Sequence, residues 1–136
     1  TPEVVFIDDY AHHPTEIEAF LKSVKALYPD KKVTAIFQPH LYTRTRDFAD
    51  GFAKSLNNAD EVILMDIYPA REMPIDGVTS ELIYNNINVE KSLTDKNSLM
   101  NTLKDKQLEV VVTIGAGDID QFVEQIKISL NEKYNA

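Results

Sequence analysis

The chain has 136 residues, 43% of them hydrophobic and 26% charged, a balance typical of one globular domain with its own core. A formal net charge of −8 argues against a surface for nucleic acid or anionic membranes, since such surfaces need dense lysine and arginine. The absence of cysteine excludes disulfides and thiolate metal sites. With no apolar run of membrane-spanning length and no recognisable leader peptide, we expect a cytoplasmic location.

Short apolar runs alternate with runs of helical period along the chain. Strands are predicted at residues 4–8, 33–37, 61–67, 88–93 and 108–114. Helices are predicted from Pro14 to the Pro29-Asp30 turn, at residues 48–56, 79–87 and 98–106, and from a cap at Asp118 to residue 130. Apolar strands between amphipathic helices predict one doubly wound α/β domain: a mostly parallel sheet of five or six strands with helices on both faces.

The loops that follow the strands hold the most distinctive side chains. Ligands of doubly wound folds bind at this edge of the sheet, beyond the carboxyl ends of the strands. The predicted loops span residues 8–16, 38–46, 67–78 and 115–118. In or beside the first three lie all the histidines and arginines of the chain: His12, His13, His40, Arg44, Arg46 and Arg71. Because the arginine fork suits carboxylate and phosphate, we predict an anion-binding edge.

The first loop reads DDYAHHP over residues 8–14. In the simplest interpretation a strand ends, the histidines are exposed and Pro14 begins a helix. An Asp-x-x-His cluster could instead bind a divalent metal. However, the adjacent His12 and His13 would point in different directions, and a cysteine-free structural zinc site needs further ligands. We therefore expect no dedicated metal site here.

The second loop reads QPHLYTRTRD over residues 38–47. Pro39 ends the strand, and His40 and Arg44 then offer hydrogen-bond donors before the second helix. A helix N-cap at Thr43 or Thr45, with arginines on the surface, is the simple alternative. Cations are disfavoured at a helix N-terminus, so two arginines there favour an anion-binding role.

The remaining loops are less specific. YPAREMPIDGV, residues 68–78, has two prolines and a glycine and is typical of a connecting loop. TIGAGDI, residues 113–119, could turn backbone N–H groups toward a phosphate. It is not a G-x-G-x-x-G sequence and Asp118 would repel a phosphate, so tight packing of the turn is the better prediction. No glycine-rich lysine loop occurs, so the chain has no phosphate cradle of its own.

In this order, DYAHHP, QPHLYTRTRD, YPAREMPI and GAGDI resemble the C-terminal domain of the Mur ligases, ATP-dependent enzymes that build the peptide of bacterial peptidoglycan. The resemblance covers essentially the whole chain. It implies that residues 1–136 form a Rossmann-like, amino-acid-binding domain. That domain would close over a central ATPase domain, with an N-terminal domain also outside this chain. We accordingly expect a piece of a longer cytoplasmic enzyme that is inactive alone.

The family phosphorylates a nucleotide-sugar carboxylate with ATP and Mg²⁺, held mainly by the central domain, and an amine then attacks the acyl phosphate. The motifs most resemble the member that joins L-alanine to UDP-N-acetylmuramate. The resemblance implies substrate binding by His12, His40, Tyr42 and Arg44, and ATP binding by Asp9, Tyr10 and His13. A basic residue is common in the family where Leu41 stands, so His40 and Arg44 would carry more of the carboxylate clamp.

Two other functions remain open from the sequence. One is a recycling ligase of the same family, which attaches a whole tripeptide and has a related first motif. The other is a non-catalytic flavodoxin-like or receiver-like binding module, in which Asp8 and Asp9 would form an acidic pocket. Receiver-like modules need a lysine at the end of the last strand, where this chain has Gly115-Ala116-Gly117.

Overall fold

Strands and helices alternate from end to end in a computed structural model that describes residues 4–115 and 117–134. The strands are β1 (Val5–Asp9), β2 (Val33–Phe37), β3 (Glu61–Leu64), β4 (Glu90–Leu93) and β5 (Val110–Ile114). The helices are α1 (Pro14–Leu27), α2 (Tyr42–Leu56), α3 (Glu81–Tyr84), α4 (Leu99–Lys104) and α5 (Val123–Tyr134), the last preceded by a 3₁₀ helix, Asp118–Phe122. None of the helices in these described ranges has the length and apolar character needed to cross a membrane.

The five strands form one parallel sheet in the order β1-β5-β2-β3-β4. The chain steps in one direction from β1 to β4 and then returns to insert β5 between β1 and β2. Because crossovers between parallel strands are right-handed, the return places its helices on the opposite face of the sheet. One core cluster accordingly contains Ile17, Phe52 and Ile83, and the other contains Leu99 and Ile126. The predicted three-layer α/β fold with a parallel sheet is confirmed.

Some element boundaries differ from those predicted. β1 extends to Asp9 because that residue still pairs with Ile114 of β5. β3 stops at Leu64 rather than residue 67, since its partner β2 ends at Phe37 and only single backbone bonds continue beyond. α3 is shorter than the predicted 79–87, because the turns on either side of it are closed by bonds between residues three apart.

The second helix begins earlier than its apolar period indicated. α2 starts at Tyr42, and non-helical angles at Phe48 (φ −123°, ψ 18°) kink it after about two turns. The sequence pattern revealed only the part beyond this kink. Thr43 and Arg44 therefore lie in the first helical turn rather than in a loop, and Leu41, not Thr43 or Thr45, is the N-cap residue.

The predicted cap at Asp118 is wrong. The N-cap position belongs to Gly117, and Asp118 lies inside the 3₁₀ helix without a side-chain capping bond. Instead, the buried Gln38 beyond the end of β2 accepts a hydrogen bond through Oε1 from the Ile119 N–H at 2.8 Å. A side chain from a neighbouring strand end thus performs the capping that the sequence pattern assigned to a local carboxylate.

Candidate functional site

The loops after β1 and β2 meet at the carboxyl edge of the sheet, on either side of the inserted β5. They bring the rings of His12 and His40 to 6.4 Å between centroids, edge to face. Arg44, in the first turn of α2, donates from Nη1 to Nδ1 of His40 at 3.2 Å. These three residues, hereafter the His–Arg cluster, unite predicted site residues from two motifs, with His12 and His40 28 positions apart.

The hydrogen bond with Arg44 fixes the proton arrangement of His40. A guanidinium group only donates, so Nδ1 of His40 accepts and the proton of the neutral ring resides on Nε2. Burial, followed by electrostatic interactions with Arg44 and His12, lowers the pKa of His40, while Glu72 opposes this shift. His40 is therefore neutral near pH 7 and presents an Nε2–H donor.

The ring of His12 has the opposite arrangement. Its Nδ1 lies 3.1 Å from the carbonyl oxygen of Tyr10, which only accepts, so Nδ1 carries a proton. In the neutral ring, Nε2 is then a free acceptor. Arg44 forms no ion pair within residues 4–115 and 117–134. The cluster thus combines hydrogen-bond donors on one side, Arg44 and His40, with a hydrogen-bond acceptor on the other, His12.

The third loop supports the second one. The ring of Tyr68 stacks on His40 with centroids 5.7 Å apart and planes inclined by 14°. The Leu41 N–H donates to the Tyr68 carbonyl, and the Tyr68 N–H donates to the Pro39 carbonyl, both at 2.8 Å. Sequence reasoning treated this loop as a connection and missed Tyr68. The only sequence feature that could have found it is an aromatic residue just beyond a strand end.

Sequence reasoning also missed Glu72, whose carboxylate lies at the N-terminus of α2. Its carboxylate accepts from the Thr43 N–H at 3.1 Å and from the Thr43 hydroxyl at 2.5 Å. The hydroxyl bond is the main cause that lowers the pKa of Glu72. The carboxylate of Glu72 thus lies at the helix start, where the two arginines led us to predict an anion. Arg46 pairs on the surface with Asp47 at 2.9 Å, so of these two arginines only Arg44 has no carboxylate partner among the residues that the structure describes.

Two non-glycine residues near the cluster have left-handed backbone angles, Leu41 (φ 72°) and Ala70 (φ 53°). Such angles are unfavourable for residues with a side chain and persist where surrounding bonds enforce them. At Leu41 the enforcing bonds are those with Tyr68 and with Thr45, whose N–H and hydroxyl both donate to the Leu41 carbonyl. Hydrogen bonds therefore hold Leu41, directly after His40, in an unfavourable backbone conformation.

The glycine turn after β5 is a packing device, as predicted. A Cβ on Gly117 would lie 2.5 Å from Cγ of Tyr68, and one on Gly115 would lie 3.0 Å from the Gln38 carbonyl oxygen. Tyr68 therefore packs against Gly117 on the side where a Cβ would lie. Ala116 lies outside the described residues.

The other predicted site residues reach the same edge but not the cluster. Asp9 accepts from the Ala11 N–H at 3.2 Å and so supports the first turn. Tyr10 is 63% exposed, and His13 faces Phe48 at 5.2 Å between ring centroids. Tyr42 instead lines a cleft of about 580 Å³ under the third loop. In the described part of the chain, no three histidine or acidic side chains are arranged to hold a metal ion.

Comparison with known proteins indicates the same family as the sequence motifs. A family profile described as Mur ligase, glutamate ligase domain, matches residues 1–127. The UDP-N-acetylmuramate–L-alanine ligase of Phocaeicola vulgatus is 59% identical over 96% of this chain, and that of Flavobacterium psychrophilum is 55% identical over 97%. The chain spans only 29% and 30% of those two proteins.

Solved structures agree. The chain is similar to the UDP-N-acetylmuramate–alanine ligase of Thermotoga maritima, with a TM-score of 0.67 and 31% identity over 91% of this chain and 27% of that one. A murein peptide ligase from Psychrobacter arcticus has a TM-score of 0.72 and 20% identity over 94% of this chain and 28% of its own. The second likeness concerns the fold alone.

Proposed function

This chain belongs to the Mur ligase, glutamate ligase domain family, and from that premise we propose that it is the C-terminal, amino-acid-binding domain of a UDP-N-acetylmuramate–L-alanine ligase. Relatives that carry this name are 51–59% identical to it over nearly its whole length. Membership of the family removes the flavodoxin-like or receiver-like module from consideration. In the proposed enzyme this domain closes over a central domain that lies outside the chain.

The pairing of Arg44 with a neutral His40 is the observation that carries the proposal. L-alanine offers a carboxylate, an ammonium group and one methyl. The remaining N–H groups of Arg44 and the Nε2–H of His40 are suited to the carboxylate, since charge-assisted bonds are the strongest available in such a site. With no basic residue at position 41, these two groups carry the clamp.

His12 complements this clamp on the amine side. Its free Nε2 can accept a hydrogen bond from the ammonium group and take up a proton as the amine becomes nucleophilic. The amine then forms the C–N bond to the acyl carbon while the C–O bond to phosphate breaks. Holding the amine at the acyl phosphate is catalysis mainly by proximity, and a closing domain also excludes water from the reactive intermediate.

This chain supplies only part of the proposed nucleotide site. Because the sequence contains no glycine-rich lysine loop, we assign the main ATP and Mg²⁺ sites to the central domain. Bound there, ATP supplies the phosphoryl group that activates the sugar carboxylate. The exposed ring of Tyr10, with Asp9 and His13 beside it, is the part of this chain suited to contact the nucleotide.

Arg44→Ala in the full-length ligase tests the clamp. Losing a charge-assisted bond worth about 1.5–3 kcal/mol should raise the KM for L-alanine roughly 10- to 150-fold, with the KM for ATP little changed. Arg46→Ala is the matched control, because Arg46 lies in the same helical turn but is exposed and paired with Asp47. Steady-state kinetics with each substrate varied gives both constants. Equal increases in the two constants would contradict a carboxylate clamp.

The tripeptide-adding ligase is the alternative within the family. Its acceptor also ends in carboxylates, so the clamp alone does not separate the two enzymes. Comparing L-alanine with the tripeptide as acceptor does so directly. We expect kcat/KM to favour L-alanine, and a preference for the tripeptide would assign the chain to the recycling enzyme.

A further inference from the structure

We propose that Glu72 is a positioning residue for the His–Arg cluster, acting from the third loop through a bracket formed by residues 68–72. That the cluster binds L-alanine rests on the function proposed above, whereas the positioning itself does not. Glu72 contacts neither member of the clamp; it orders the helical turn that carries Arg44, while Tyr68 at the other end of the bracket orients His40.

The first turn of α2 depends on Glu72 for its capping. Leu41, the N-cap residue, has no side-chain acceptor and left-handed angles, so the exposed N–H groups of the helix start need another partner. Glu72 accepts from the N–H of Thr43 and from its hydroxyl. These two bonds fix Thr43, the residue directly before Arg44.

The bracket is rigid at both ends. Beside the stacking of Tyr68 on His40, its backbone is bonded in both directions to the second loop, through the Leu41 N–H and the Pro39 carbonyl. Between the two ends, the Glu72 N–H donates to the Pro69 carbonyl at 2.9 Å and Ala70 takes left-handed angles, so the chain makes a closed turn. One segment therefore fixes the positions of both His40 and Arg44.

Glu72 also acts on the charge state of the cluster. Arg44 and His12 both disfavour a proton on His40, Tyr68 stacks on it without charge, and Glu72 is the negative group that opposes them. Removing Glu72 should therefore lower the pKa of His40 further. A purely structural cap elsewhere in the protein would leave the titration of this ring unchanged.

The kinetic test compares Glu72→Ala, Glu72→Gln and Asp76→Asn in the full-length ligase. Asp76 is a carboxylate of the same loop and has no hydrogen bond or ion pair with the described residues, so it controls for loss of loop charge. We expect Glu72→Ala to raise the KM for L-alanine about tenfold with little change for ATP. Glu72→Gln, which keeps an acceptor oxygen, should recover much of the loss. An equal effect of Asp76→Asn, or an unchanged KM in Glu72→Ala, would overturn the proposal.

A titration of the chain itself separates this proposal from the function it serves. Nuclear magnetic resonance of the His40 ring should show its midpoint at lower pH in Glu72→Ala than in the wild type, with Asp76→Asn unchanged. A midpoint that does not move contradicts the positioning role even if L-alanine binds as proposed. If the midpoint moves but Arg44→Ala leaves the KM for L-alanine unaltered, the bracket stands and the assigned ligand is wrong.

Discussion

At the scale of single residues, two glycines of this chain are required for opposite reasons. Gly117 has a φ of −134°, which any residue adopts, but an added Cβ would collide with Tyr68 and with Oε1 of Gln38. Gly77 has a φ of +78°, yet nothing lies within 4 Å of its Cβ position. The first glycine therefore makes room for a neighbour of the cluster, and the second supplies a backbone conformation.

Replacing each glycine by alanine should separate the two effects. Gly117→Ala is expected to displace Tyr68 from His40 and to destabilise the fold by about 1–3 kcal/mol through overpacking. Gly77→Ala should cost about 1–2 kcal/mol through backbone strain while leaving Tyr68 in place. Urea unfolding gives the free energies, and the ring resonances of His40 report the stacking. Similar changes in the His40 resonances of both variants would contradict this distinction.

At the scale of elements, strand β3 begins with a residue whose carboxylate is buried, Glu61. The side chain of Glu61 is 1% exposed and pairs with Lys106 at 2.6 Å and with Lys32 at 3.3 Å. Burial alone would raise the pKa of Glu61, but the hydrogen bond and charge of Lys106, together with Lys32, outweigh it and hold the pKa below its ordinary value. The folded protein therefore favours the ionised form more than the unfolded chain does.

This shift predicts a pH dependence of stability. A depressed pKa stabilises the fold above the unfolded-state value, about 4.3 for glutamate, and that stabilisation is lost as the pH falls through the folded value. Glu61→Gln should lower the free energy of unfolding at pH 7 by about 1.5–3 kcal/mol. Its loss of stability between pH 5 and pH 3 should be smaller than that of the wild type. Urea denaturation across this range measures both, and parallel curves would contradict the assignment.

The boundaries of an element could be predicted from the sequence where its own residue pattern determines them, and could not where a distant residue does. β2 was predicted to the residue because four of its five residues are apolar and all five are buried. The start of α2 was not, because its first turn has no apolar period and is capped by Glu72, 29 positions away. The meeting of His12 and His40 followed from the parallel topology, whereas the bracket depends on the register of β2 against β3, which no local pattern specifies.

At the scale of the whole molecule, the two edges of the sheet have different chemistry. The carboxyl edge carries His12, His40 and Arg44, and the amino edge carries the lysine pairs of Glu61. Substitutions at the amino edge should therefore change stability without changing the KM for L-alanine. The division allows the two properties to be measured separately in one protein.

The activity expected of the chain also depends on the whole molecule. The chain spans less than a third of the relatives named above, and its sequence contains no glycine-rich lysine loop. Given UDP-N-acetylmuramate, L-alanine, ATP and Mg²⁺, the 136-residue chain is expected to release no ADP beyond a blank without protein. A coupled assay for ADP measures this, with the full-length ligase as the positive control. L-alanine-dependent ADP release by the chain alone would show that it holds a complete catalytic site.

The insertion of β5 between β1 and β2 has a consequence for synthesis on the ribosome. Among the five described strands, β1 pairs only with β5, which is made after the other four. While the chain emerges, β2, β3 and β4 can pair among themselves, but β1 has no strand to pair with. The DDYAHHP loop thus leaves the ribosome before β2, β3 and β4 but can reach its place only after β5 has been made.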